Sequence, residues 1–103
     1  MKYQRQIFDQ QIIKKEFNLQ SVLNGVDLEV SDVIENSDKF FHSGEMQFDF
    51  ADLICVIDYD INWDNDGDVY SANVWEAYTV DEYGRQKPLA DEAKEEIQNF
   101  MKN

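Results

Sequence analysis

The chain has 103 residues, 43% of them hydrophobic, with seven Phe, five Tyr and two Trp, and it carries a net charge of −13. That length holds one core and leaves no room for a second, and the aromatic content excludes a disordered acidic tail, which is poor in such residues. The charge excludes direct binding to nucleic acid or to an anionic membrane surface, because both need a basic face.

The opening residues, Met1-Lys2-Tyr3-Gln4-Arg5-Gln6, contain no apolar core of signal-peptide length, and nowhere does the chain approach the ~20 apolar residues of a membrane helix. It reads as a soluble protein. Ile7, Phe8, Ile12, Ile13 and Phe17 recur with Gln and Lys between them, which predicts an amphipathic helix over about 4–16, with a pair of short strands as the alternative. Asn24-Gly25 is a turn signal. Ser31 or Asp32 is placed to cap a short helix carrying Val33, Ile34, Phe40 and Phe41, which Ser43-Gly44 would end.

The middle of the chain alternates strictly. Leu53, Cys55, Ile57, Tyr59, Ile61 and Trp63 fall on one face of a strand, and Ile54, Val56, Asp58, Asp60, Asn62 and Asp64 on the other. Phe48 and Phe50 suggest a preceding strand, and the change of parity at Ala51-Asp52 calls for a turn or bulge there. Asp66-Gly67 predicts a tight hairpin. On the return strand Tyr70, Ala72, Val74, Tyr78 and Val80 share a face, interrupted by Glu76. With a two-residue loop, Trp63 faces Tyr70, Ile61 faces Ala72, Tyr59 faces Val74 and Cys55 faces Tyr78, all apolar or aromatic pairs. On this pattern Tyr59, Trp63, Tyr70 and Tyr78 are core residues. Tyr83-Gly84 marks a second turn. Ala93, Ile97, Phe100 and Met101 lie at helical spacing after Pro88, with Asp91 and Glu92 in the first turn, where the helix dipole favours anions. The expected fold is α+β: a small antiparallel sheet of three to four strands on a central hairpin of about 53–63 and 68–80. An N-terminal helical region and a C-terminal helix over about 90–101 pack on one face of it.

The charge is regional. Lys39 and Arg85 bracket 45 residues that contain eleven acids and no Lys or Arg, while the rest of the chain contributes only −2. Within that stretch Asp58, Asp60, Asn62 and Asp64 line one strand face at a spacing of about 6.6 Å, twice the rise per residue. Successive phosphates of a nucleic-acid strand lie on the order of 6–7 Å apart. Ser71, Asn73 and Trp75 sit across the ladder with Glu76 nearby, and Asp66 and Asp68 extend the acidic file into the turn. Asp is a poor strand former, and a row of like charges without counter-charge is destabilising, so stability alone does not account for the set. The outline matches a nucleic acid, and the partner expected is the basic groove of a nucleic-acid-binding protein.

Other chemistries fit less well. Asn62-Trp63-Asp64-Asn65-Asp66-Gly67 resembles the first half of a calcium loop, but the twelfth position, which needs a bidentate Glu, is Asn73; a weak calcium-binding module at 62–68 is kept as an alternative. His42 is the only histidine and Cys55 the only cysteine, which makes no zinc site and no internal disulfide. Cys55 lies in an apolar run, as a buried inert thiol does, and a lone thiol suits the cytoplasm. No phosphate loop or nucleophile elbow occurs, and the carboxylate pairs lie on an open face where nothing separates their pKa values for catalysis. A non-enzyme without cofactor is expected. In size and charge, though not by any motif, the chain resembles the small acidic inhibitors that bacteriophages and mobile elements direct against restriction or CRISPR systems. The likeness implies an inhibitor that mimics DNA or RNA. The competing expectation is a structural or assembly subunit that forms a homodimer or larger homo-oligomer through an apolar face including Phe40, Phe41 and Trp75.

Overall fold

A computed structural model describes residues 10–12 and 15–102. The elements in order are β1 (Gln10–Ile12), α1 (Leu19–Asn36), β2 (Phe41–Asp49), β3 (Leu53–Trp63), β4 (Val69–Asp81), β5 (Gln86–Pro88) and α2 (Asp91–Met101). They form an α+β domain. Strands β2 to β5 make an antiparallel meander in chain order, and the three-residue β1 adds to the β2 edge in parallel. The crossover from β1 to β2 runs through α1, as a parallel neighbour requires. Both helices lie on one face of the sheet, α1 against β2 and α2, and α2 against β4.

The core lies between that face and the helices. Met46 and Phe48 of β2, Cys55, Ile57, Tyr59, Ile61 and Trp63 of β3, and Ala72, Val74 and Ala77 of β4 point into it. Val22, Leu23, Val26 and Val30 of α1 and Ile97 and Met101 of α2 close it from above. The alternation of β3 is therefore as expected, with Asp58, Asp60 and Asn62 on the opposite, open face. Burial pushes the Cys55 thiol up to about 12, so almost no thiolate exists at neutral pH. A thiol reagent is expected to label Cys55 only as fast as the chain opens, as followed by mass spectrometry; labelling at the rate of a small-molecule thiol would contradict this packing.

The first third of the chain differs from expectation. Of the helix predicted over 4–16, residues 10–12 are a strand, residues 15 and 16 are irregular, and the rest lies outside the described residues. The helix begins later. Asn18 caps it, its side chain accepting the Ser21 N–H at 2.8 Å. Asn24-Gly25 is no turn, because Val22, Leu23, Gly25, Val26, Glu29 and Val30 form one buried helical stripe; packing along that stripe outweighs the ~1 kcal/mol that glycine costs inside a helix. Ser31 and Asp32 lie within α1 and cap nothing, and Phe40 and Phe41 lie beyond its end. Nor does Ser43-Gly44 break the chain. Gly44 stands opposite Tyr59 within β2, and a Cβ there would come within 2.9 Å of the His42 imidazole, which packs against Tyr59 with ring centroids 5.8 Å apart. The glycine makes room for the ring.

The turns at Ala51-Asp52 and Tyr83-Gly84 fall where expected. Phe50 N–H bonds the Leu53 carbonyl at 2.8 Å, and Gly84 N–H bonds that of Asp81 at 2.9 Å. The C-terminal helix spans Asp91–Met101 with Asp91 and Glu92 in its first turn.

Candidate functional site

The open face takes its shape from two irregularities in β4. Pairing with β3 runs regularly from Leu53↔Asp81 to Asp58↔Glu76, then slips so that Tyr59 meets Val74, leaving Trp75 as an extra residue. A second slip between Asn62 and Trp63 leaves Tyr70 extra and brings Val69 opposite Trp63. Ile61↔Ala72 and Tyr59↔Val74 pair as predicted; Trp63↔Tyr70 and Cys55↔Tyr78 do not. Each extra residue reverses the alternation beyond it. Ala77 and Thr79 are therefore buried, while Tyr78 and Val80 turn to the open face opposite Val56 and Ile54. Tyr70, expected in the core, is exposed. Trp75 and Glu76 both face outward.

Asp58, Asp60, Asn62, Asn73, Trp75 and Glu76 thus share one surface. The register assembles it in rows: Glu45, Asp58 and Glu76 cross β2, β3 and β4 side by side, and the next row is Ser43, Asp60 and Asn73. Neighbouring strands stand about 4.8 Å apart, so the densest charge runs across the strands and not along β3. Glu45 was not singled out from sequence, because its membership depends on the β2 register. Desolvation and the negative charges of Glu45 and Glu76 hold the Asp58 carboxyl above the usual carboxylate range. Lys87, on β5, pairs with Thr79 on the helix side. Among the described residues of β2–β5, no Lys or Arg faces the open side.

Asp60 has an internal role. Its Oδ2 accepts the indole N–H of Trp75 at 2.9 Å, and its Oδ1 accepts the Asn73 amide at 3.1 Å. Trp75 is thereby fixed in place although it is 62% exposed. The bulge is also supported from below. β5 pairs only with Tyr78–Val80, and the N–H of Val74, beyond its reach, donates to Oε1 of Gln98 on α2 at 3.0 Å. Gln98→Ala should leave that N–H without a partner and cost about 1–3 kcal/mol, with the Trp75 indole resonance broadened in NMR spectra. An unchanged melting midpoint and indole signal would show the bulge to be self-supporting.

Asp64, Asp66 and Asp68 leave the sheet face and belong to the turn, with carboxylate oxygens within 4.8 Å of one another. The loop is Asn65-Asp66-Gly67, one residue longer than predicted: Gly67 N–H bonds the Asp64 carbonyl, and Asp64 N–H that of Asp68, both at 3.0 Å. Asp64 Oδ1 accepts the N–H groups of Asp66 at 2.9 Å and Asp68 at 3.0 Å, and Gly67 has φ 83°. The β4–β5 turn repeats this device. Asp81 Oδ1 accepts from Tyr83 at 2.9 Å and Arg85 at 3.0 Å, and Gly84 has φ 80°. The Arg85 N–H, with that of Tyr83 and the Arg85 side chain adding to it, holds the Asp81 carboxyl below its ordinary range, and together they outweigh desolvation. An Asp followed three residues later by Gly is the signal for both turns, and it marks Asp64 as structural. No protein-family model, no curated protein and no solved structure matches the chain.

Proposed function

We propose that the chain is a non-catalytic inhibitor that presents its open sheet face as a nucleic-acid mimic and occupies the basic groove of a nucleic-acid-binding protein. The observation that carries this is the transverse row of Glu45, Asp58 and Glu76 on a face without basic residues among those described. The placement of Asp58 directly opposite Glu76 works against the fold, since like charges so placed are destabilising. It is suited to a cationic partner, which would be steered to it quickly at low salt and lose affinity as salt rises. Asp66 and Asp68 extend the field at one end. The lone buried thiol suits the cytoplasm as the place of encounter, and among the described residues no helix is long and apolar enough to cross a membrane.

The cost of the row can be measured. The folded state of Asp58 binds a proton at higher pH than the unfolded chain does, so its charge costs stability above the folded-state pKa, and that cost disappears as pH falls to the unfolded value. Asp58→Asn should be more stable than the natural protein by about 0.2–1 kcal/mol at neutral pH, and the two urea midpoints should converge in acid. A variant less stable at neutral pH would show that Asp58 is held by attraction.

A second reading, assembly through an apolar face, draws on Phe40, 56% exposed just before β2, and Phe41, 50% exposed at its first position. Light scattering that finds a dimer insensitive to salt, and a monomer after Phe40→Ser with Phe41→Ser, would favour it over the mimic.

A further inference from the structure

We propose that the open face of β2, β3 and β4 docks an arginine side chain of its protein partner, the guanidinium stacking on the indole of Trp75 while it bonds the carboxylates of Asp58 and Glu76. The proposal rests on the reading of this face as a nucleic-acid mimic and adds which side chain of the partner it grips.

Three features meet here. The slip in β4 sets Trp75 and Glu76 outward together, with Glu76 opposite Asp58. The indole N–H, the only hydrogen-bond donor of a Trp side chain, is already taken by Asp60, which Asn73 steadies in turn. What remains of Trp75 for a partner is its ring, 62% exposed and fixed in orientation. Among the described residues of β2–β5, no Lys or Arg stands on this face, and its charge is complementary to a cationic side chain.

The combination selects a guanidinium over an ammonium. Guanidinium is planar, stacks on an aromatic face, and offers a fork of N–H donors that fits carboxylates, whereas ammonium is a compact and strongly hydrated point charge. Other occupants fit less well. An apolar segment would strip water from Asp58 and Glu76 and give no counter-charge, and a second copy of the same face would set acids against acids.

The test uses the full chain and two probes of equal length and charge, a hexa-arginine and a hexa-lysine peptide, titrated while NMR follows the Trp75 indole N–H. The arginine peptide should bind about three- to fivefold more tightly. In Trp75→Leu both peptides should still bind with salt sensitivity, but with equal affinity; Trp75→Phe, which keeps a ring, should retain part of the preference. Equal affinities on the natural protein, or a preference unchanged in Trp75→Leu, would overturn the proposal. If the peptides bind equally and Asp58→Asn with Glu76→Gln weakens both, the arginine seat falls and the acidic face stands. If neither peptide binds even at low salt, both fall together.

Discussion

The double variant Asp58→Asn, Glu76→Gln should bind the partner at least a hundredfold more weakly than the natural protein while folding as well or better. A hydrogen bond to a charged group contributes about 1.5–3 kcal/mol, so two such contacts represent about 3–6 kcal/mol, and each 1.4 kcal/mol is roughly a factor of ten. The fold should not suffer, because the two residues face each other on the open side of the β3–β4 ladder and removal of their charges relieves repulsion. Isothermal titration against the purified partner reads the first effect and urea unfolding the second. Asp60 and Asp64 make poorer targets despite their place in the sequence pattern. Asp60 fixes Trp75 and Asp64 closes the hairpin, so their replacement mixes loss of charge with loss of structure. A double variant that binds undiminished would remove the carboxylate row from the mechanism.

Phe48→Ala should be the most damaging change to the fold, costing about 3–5 kcal/mol. The side chain is fully buried, within β2 and opposite Cys55. A domain of this size has about 5–15 kcal/mol in total, and the net charge of −13 lowers its own share through self-repulsion. The variant should therefore be partly unfolded in dilute buffer and recover some structure on addition of salt, which screens that repulsion. Circular dichroism with and without salt measures both. A loss under about 1 kcal/mol would mean that Phe48 does not anchor the core.

The central hairpin and the last helix were legible because their patterns are strict and local. The alternation from Leu53 to Trp63 assigns the inner face without ambiguity, and Ile97 and Met101 recur at helical spacing. What could not be read depended on contacts distant in sequence. Nothing about Tyr70 or Trp75 marks either as the extra residue of a bulge; beside Trp75 the Val74 N–H is taken up by Gln98 of α2, a contact between residues 24 apart in sequence. Without the slips, Tyr78 and Val80 fall on the wrong face, and Trp75 and Glu76 are not brought together. Asn24-Gly25 reads locally as a turn, and only burial of the whole stripe from Val22 to Val30 makes it helix. At the candidate site, Asp58, Asp60, Asn62, Asn73 and Trp75 share the surface expected of them, and the slip adds Glu76 to it, but their roles divide: Asp58 and Glu76 present charge, while Asp60 and Asn73 hold the aromatic ring. That division needs a hydrogen-bond map, as does the structural role of Asp64.

The most direct test is capture of partners on the immobilised chain from an extract of its source cell, at low and at high salt, followed by challenge of the bound protein with DNA and RNA fragments. The account predicts a basic protein held at low salt, released at high salt, displaced by nucleic acid, and not retained by Asp58→Asn, Glu76→Gln. A partner that stays bound whatever the salt, ignores nucleic acid, or is retained equally by the double variant would contradict it.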